Sequence, residues 1–299
     1  MRKFIALSAL TLTATTMTAQ NIAYPKAPKD GTVDTYFGVK VPDPYRPLEA
    51  DRSQETMAWV EAENKVTNAY LEKIPFRAKL LKRLKEVADF EKVGTPFNKN
   101  GKWYVYKNNG LQNQSVLYQM DELGGQLNEF LDPNKLSDDG TVALQSTSFS
   151  KDGRYMAYVI SRSGSDWQEI YVKDVAMGEL LSDHIEWAKF GGAQWCGNGF
   201  FYSAYDAPEK GKEFSSKNEV HKVYYHKIGT KQSDDVLFYQ NPAHPLRFYS
   251  VSLNEDETMM FLNESGAGSG MNLYVRDLRV PNSQFIQMTS NMDLQYSQI

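Results

Sequence analysis

A β-strand signature returns four times along this chain, its copies starting 54, 53 and 50 positions apart. The copies are Val116-Leu117-Tyr118-Gln119-Met120-Asp121, Ile170-Tyr171-Val172-Lys173-Asp174-Val175, Val223-Tyr224-Tyr225-His226-Lys227-Ile228 and Leu273-Tyr274-Val275-Arg276-Asp277-Leu278. A turn and an aromatic-rich strand precede each one. Asn100-Gly101 leads into Lys102 to Tyr106, Asp152-Gly153 into Arg154 to Tyr158, Asn198-Gly199 into Phe200 to Tyr202, and Asn254 to Glu257 into Thr258 to Phe261. All-β repeats of this length are propeller blades. A propeller avoids open sheet edges by closing its ring. The expected fold is therefore mainly β: a partial β-propeller of about four blades, preceded by an extended segment and two α-helices.

The composition suits strands, with 18 Tyr and 15 Phe whose rings fit a half-buried pleated surface. A net charge of −4 argues against a nucleic-acid partner, which calls for a basic face. Residues 1–19 read as a secretory signal peptide: Arg2 and Lys3, an apolar stretch from Phe4 to Leu12, and a small-residue exit to Ala19. The apolar run is too short to span a membrane. Cleavage after Ala19 leaves 31 basic and 37 acidic residues, a net charge of −6. The protein is expected to be exported, periplasmic or secreted, with no membrane span after signal removal. Cys196 is the single cysteine, so no internal disulfide can form, and its apolar surroundings make it a small buried filler.

Residues 20–93 form the expected N-terminal segment and 94–299 the blades. Pro25, Pro28, Pro42, Pro44 and Pro47 argue against any regular strand or helix from Gln20 to Leu48. Ser53 reads as the N-cap of a helix to Ile74, with Trp59, Ala62, Val66, Tyr70 and Ile74 on one face and Pro75 ending it. A second, basic helix is expected from Phe76 to about Ala88, with Leu80, Leu84 and Val87 on its apolar side.

Chemistry is sparse. No serine has the flanking glycines of a nucleophile elbow. Gly266-Ala267-Gly268-Ser269-Gly270 lies between two strands and reads as a flexible hairpin connection. His221 and His226 fall on opposite faces of one strand and cannot share a metal ion. All four histidines read as structural or surface residues. Asp138-Asp139 and Asp234-Asp235 sit in polar turns, where they are expected to stay solvated. No metal and no cofactor is expected.

Three motifs carry a resemblance. Val41-Pro42-Asp43-Pro44-Tyr45-Arg46-Pro47-Leu48-Glu49 follows Tyr36-Phe37-Gly38 near the start. Gly110-Leu111-Gln112-Asn113-Gln114-Ser115-Val116-Leu117-Tyr118 precedes Leu131-Asp132-Pro133-Asn134, and Ser161-Arg162-Ser163-Gly164-Ser165-Asp166-Trp167 is the third. Together they resemble the prolyl oligopeptidase family of serine peptidases, with Pro47 where that family has Trp. The resemblance implies a seven-bladed propeller over the active site of an α/β-hydrolase domain, on which the N-terminal helices pack. At about 52 residues per blade, seven blades from Gly94 would reach residue ~460. The chain is therefore expected to be the N-terminal portion only, without the catalytic Ser, Asp and His. Its blades would filter short proline-containing peptides, and it would be inactive alone. The resemblance also implies one substrate contact: a Lys-Phe segment shortly before a Trp, here Lys189-Phe190 before Trp195, which makes Phe190 the candidate. Two alternatives stay open: a stand-alone small propeller binding a peptide or protein partner, and an oligopeptidase cutting after basic residues.

Overall fold

The strand Tyr155–Arg162 is buried at seven of its eight positions, and its side chains divide by parity. Tyr155, Ala157 and Val159 join one core cluster, whereas Met156, Tyr158 and Ile160 join another. A strand turns successive side chains to opposite faces, so a continuous apolar run belongs to a strand covered on both sides. Adjacent sheets here supply both covers.

The computed structural model describes residues 22–290 and 292–296; the signal-peptide reading of residues 1–19 lies outside them. Four antiparallel meanders form the blades. Blade 1 comprises Lys92–Val93 and Phe97–Lys99, both pairing with Lys102–Asn108, then Val116–Met120 and Asn128–Leu131. Blade 2 is Val142–Phe149, Tyr155–Arg162, Gln168–Asp174 and Leu180–Ala188. Blade 3 is Gln194–Trp195, Gly199–Ala204, Lys222–Lys227 and Val236–Gln240. Blade 4 is Phe248–Leu253, Met259–Ser265, Met271–Asp277 and Ile286–Gln287. The four copies of the sequence signature are the third strands, and the aromatic runs before them are the second strands. Among the described residues the sheets do not close a ring. The chain is thus mainly β, a partial propeller.

Three hydrophobic clusters fill the three seams. Tyr104, Leu117 and Phe130 meet Val142 and Met156 between blades 1 and 2. Ile170, Val172 and Ile185 meet Trp195, Phe200 and Tyr202 between blades 2 and 3. Phe201 and Val223 meet Tyr249, Met260 and Leu262 between blades 3 and 4. Local turn chemistry sets the register. Asn100 and Gly101 both have positive φ (47° and 82°), the turn that matches strand twist in a two-residue hairpin.

Contacts divide the chain between Leu80 and Leu81 into two units. In the first, Ser53 caps helix α1, Gln54–Glu72, accepting from the Thr56 amide at 3.1 Å as its sequence predicts. Helix α2 follows at Arg77–Ala88. The proline-rich segment corrects an expectation, because it contains a hairpin of Val33–Tyr36 and Val39–Pro42 and a 3-10 turn at Arg46–Glu49. The prolines bracket the hairpin: Pro25 and Pro28 precede it, Pro42 ends its second strand, and Phe37-Gly38 (φ 52° and 84°) make the turn. Arg46 explains the Asp-Pro-Tyr-Arg motif. It donates to Asp43 at 2.6 Å and also bonds Asp34 in the hairpin.

Candidate functional site

In a meander, the loop between second and third strands lies on the same rim as the connection to the next blade. The rim of blades 2 to 4 therefore carries the loop before Gln168, the segment between Ala204 and Lys222, and the connections that lead into Gln194 and Phe248. Phe190 stands on the first of these connections. Its ring is half-exposed (51%), with the Phe248 ring 5.3 Å away and His221 at 6.2 Å. Its φ is 54°, in the left-handed region that bulky residues avoid. The neighbouring backbone holds it there. The Lys189 amide donates to the Ser203 carbonyl at 3.0 Å, and the Lys189 carbonyl accepts from His221 Nε2 at 2.9 Å.

Lys189 is itself buried (7% exposed), with its ammonium 4.6 Å from the Trp167 ring centre and 5.4 Å from that of Phe190. Asp166 lies 3.8 Å from the same ammonium. Beside them a cleft of about 320 Å³ is lined by Gln145, Ser161, Asp166, Gln168 and Phe190, among others. Gln145 donates to Ser161 Oγ at 2.7 Å, whereas the buried Gln168 Oε1 has no hydrogen-bond partner among the described residues. The cleft presents the half-exposed ring of Phe190 to an apolar group of a ligand.

The other sequence candidates serve the seams. His221 accepts the Tyr249 amide on Nδ1 at 2.9 Å and donates from Nε2, so it is the neutral tautomer; burial lowers its pKa to about 4. It ties blade 3 to blade 4. His226 points the other way, toward blade 2, with Nε2 3.0 Å from Asp183 and Nδ1 2.7 Å from Asp235. Burial pulls its pKa down, but the hydrogen bonds and charges of the two aspartates outweigh that and raise it. Asp235 corrects a second expectation. Its side chain is 2% exposed, because the turn folds it inward onto His226 and the Tyr202 hydroxyl at 2.7 Å. Sequence alone did not reveal this trio, since Asp183 comes from another blade. Gly266 to Gly270 connects two strands of blade 4, and Cys196 packs against the cluster between blades 3 and 4. Burial raises the Cys196 thiol pKa. No described helix is long and apolar enough to cross a membrane.

Over residues 25–299 the sequence matches the family described as prolyl oligopeptidase, N-terminal beta-propeller domain. The chain belongs to the prolyl oligopeptidase family. A prolyl endopeptidase of Elizabethkingia miricola is 43% identical over 279 residues, which make up 92% of this chain and 39% of that protein. One from Elizabethkingia meningoseptica is 42% identical over 291 residues, 97% of this chain and 41% of that protein. Among solved structures, a mutant of prolyl oligopeptidase B from Galerina marginata, bound to a 35mer hydrolysis and macrocyclization substrate, is similar with a TM-score of 0.75 at 29% identity. That match covers 92% of this chain and 42% of the other. The chain thus spans about two-fifths of the length of these prolyl oligopeptidase relatives. Its blades are prolyl oligopeptidase blades, and the rim around Phe190 is part of them.

Proposed function

We propose that this chain is the propeller portion of an exported serine endopeptidase that cleaves short peptides after proline, and that Phe190 touches the peptide. The observation that carries the reading is the half-exposed Phe190 ring, held on a left-handed backbone beside an open cleft. Strained, over-determined residues of this kind cluster at functional sites. The catalytic Ser, His and Asp belong to an α/β-hydrolase part outside these blades. There the serine attacks the carbonyl carbon of the proline, the histidine takes its proton and gives it to the leaving amine, and the aspartate orients the histidine. The blades admit short peptides and exclude folded proteins. Residues 20–93 pack against the hydrolase part. Residues 1–19 direct export to the periplasm or beyond and are removed. The reaction needs no cofactor, and the protein has no nucleic-acid partner.

The purified chain should bind a dye-labelled proline-containing oligopeptide, followed by anisotropy, and leave it intact. Phe190→Ala should weaken that binding by about five-fold, the worth of one apolar ring contact. Cleavage by the chain alone that resists a serine-directed inhibitor would overturn the reading, as would equal binding by the Phe190→Ala chain.

A further inference from the structure

Lysines are almost never fully buried unless paired. Lys189 is buried, and Asp166, a mostly exposed side chain, lies 3.8 Å from its ammonium. Two aromatic rings lie within cation–π range of that charge: Trp167 at 4.6 Å and Phe190 at 5.4 Å. The two rings differ in how they are held. The Trp167 indole is fixed from several directions. Its N–H donates to the Glu213 carbonyl at 2.8 Å, and its ring stands edge-on to Trp187 and Tyr205, with centres 5.4 and 6.3 Å away. Phe190 rests against Phe248 and His221 and is half exposed, with no hydrogen-bonding group of its own to fix it. The Lys189 backbone is bonded at both ends, to Ser203 and to His221, which fixes the point from which its side chain reaches the two rings.

We propose that Lys189 is a positioning residue: its ammonium, clamped between Trp167 and Phe190, passes the fixed orientation of the indole to the Phe190 ring, so that this ring meets an apolar side chain of a bound peptide. The inference rests on the reading of Phe190 as a peptide contact. It assigns a role to the Ser-Gly-Ser-Asp-Trp motif that the family resemblance left unexplained. Ser163 and Gly164 (φ 51° and 72°) turn the loop, Ser165 Oγ accepts the Trp167 amide at 3.0 Å, and the indole is delivered beneath the lysine.

Two measurements on the chain test this. In proton NMR, the Lys189 ε-methylene signals should lie upfield of an ordinary lysine, because they sit between two ring currents. Trp167→Leu and Phe190→Leu should each move them back. In the anisotropy titration, Lys189→Met keeps the aliphatic stem and removes the charge; it should weaken peptide binding by about five-fold, to the level of Phe190→Ala. Lys189→Arg, which keeps the charge and stacks on rings, should remain within about two-fold of the unsubstituted chain. Full binding by a folded Lys189→Met chain overturns the positioning role, and so does an ordinary ε-methylene shift. Should Lys189→Met not fold, Trp167→Leu carries the same comparison, because it keeps the lysine and removes its fixed ring. No binding by the unsubstituted chain, with the upfield signals in place, overturns the peptide reading instead, and the positioning role falls with it.

Discussion

The carboxamide of Gln114 donates to the Val142 carbonyl at 2.7 Å and accepts from the Leu144 amide at 2.7 Å. One side chain thereby does for the first strand of blade 2 what a neighbouring strand's backbone would do. Its own backbone is locked in turn, its N–H to Asn134 Oδ1 and its carbonyl to Asn134 Nδ2. The Gly110-to-Tyr118 motif and the Asp-Pro-Asn motif, both read as family marks, are thus two halves of one staple between blades 1 and 2. Gly110, at the start of the same motif, is fixed by a different contact. At φ 127°, a Cβ there would lie 2.5 Å from the Asp89 carboxylate, so only glycine fits. Gln114→Leu keeps the volume but leaves a backbone carbonyl and amide unpaired, and should cost about 1–3 kcal/mol in urea unfolding. A loss below about 0.3 kcal/mol would mean that water replaces the staple, which a partly exposed site permits only if the seam opens.

The seams between blades respond to pH in opposite senses, because each is bridged by a different kind of histidine. His221 is neutral and buried, with its pKa lowered to about 4 from 6.5. A depressed folded pKa means that the unfolded chain binds more protons between those values. The contribution of His221 is therefore complete above pH 6.5 and is lost as pH falls toward 4, a change on the order of 3 kcal/mol. His226 has the opposite sign. Its folded pKa is raised, so its contribution is complete below 6.5 and is lost as pH rises through the raised value. The groups facing it are Asp183 from blade 2, Asp235 and the Tyr202 hydroxyl from blade 3, the Gly229 amide at 2.6 Å from Asp183, and the Phe200 ring at 5.2 Å. Unfolding free energy measured from pH 4 to 9 should show a maximum near neutrality. His226→Gln should flatten its alkaline side at a cost of about 3–5 kcal/mol at pH 6, because two carboxylates are left buried beside a neutral group. His221→Gln should flatten the acid side instead. An alkaline limb that survives His226→Gln would place the titrating group elsewhere.

At the scale of the whole molecule, the sequence made the repeating units legible and left their junctions dark. Period, turn and aromatic strand are local, so the second and third strand of every blade could be read from residues a few positions apart. The staples at Gln114, His221, His226 and Lys189 join residues from separate strands and loops, most of them in different blades, and no spacing rule connects those. The Phe190 candidate came only through a family pattern, in which Lys189 served as a landmark with no role of its own. The prolines from Pro25 to Pro47 misled because they were weighed as a run, when their positions leave room for a hairpin between them. The helices were read correctly, and their surroundings carry the last consequence. Helix α2 has no buried residue, yet Leu80, Leu84 and Val87 form an apolar stripe on it, each at least half exposed. A stripe of this kind is made to be covered. If a hydrolase part covers it, the chain by itself should enhance the fluorescence of an anilinonaphthalene sulfonate dye, and the double variant Leu80→Glu/Leu84→Glu should lower that signal by about half or more. Both substitutions keep good helix formers and add acidic groups to a basic helix, so the far-UV spectrum and the urea midpoint of the blades should hold. Dye fluorescence that the double variant leaves unchanged would show that the sticky surface lies elsewhere, and the proposed role of α2 as a docking helix would have to be given up.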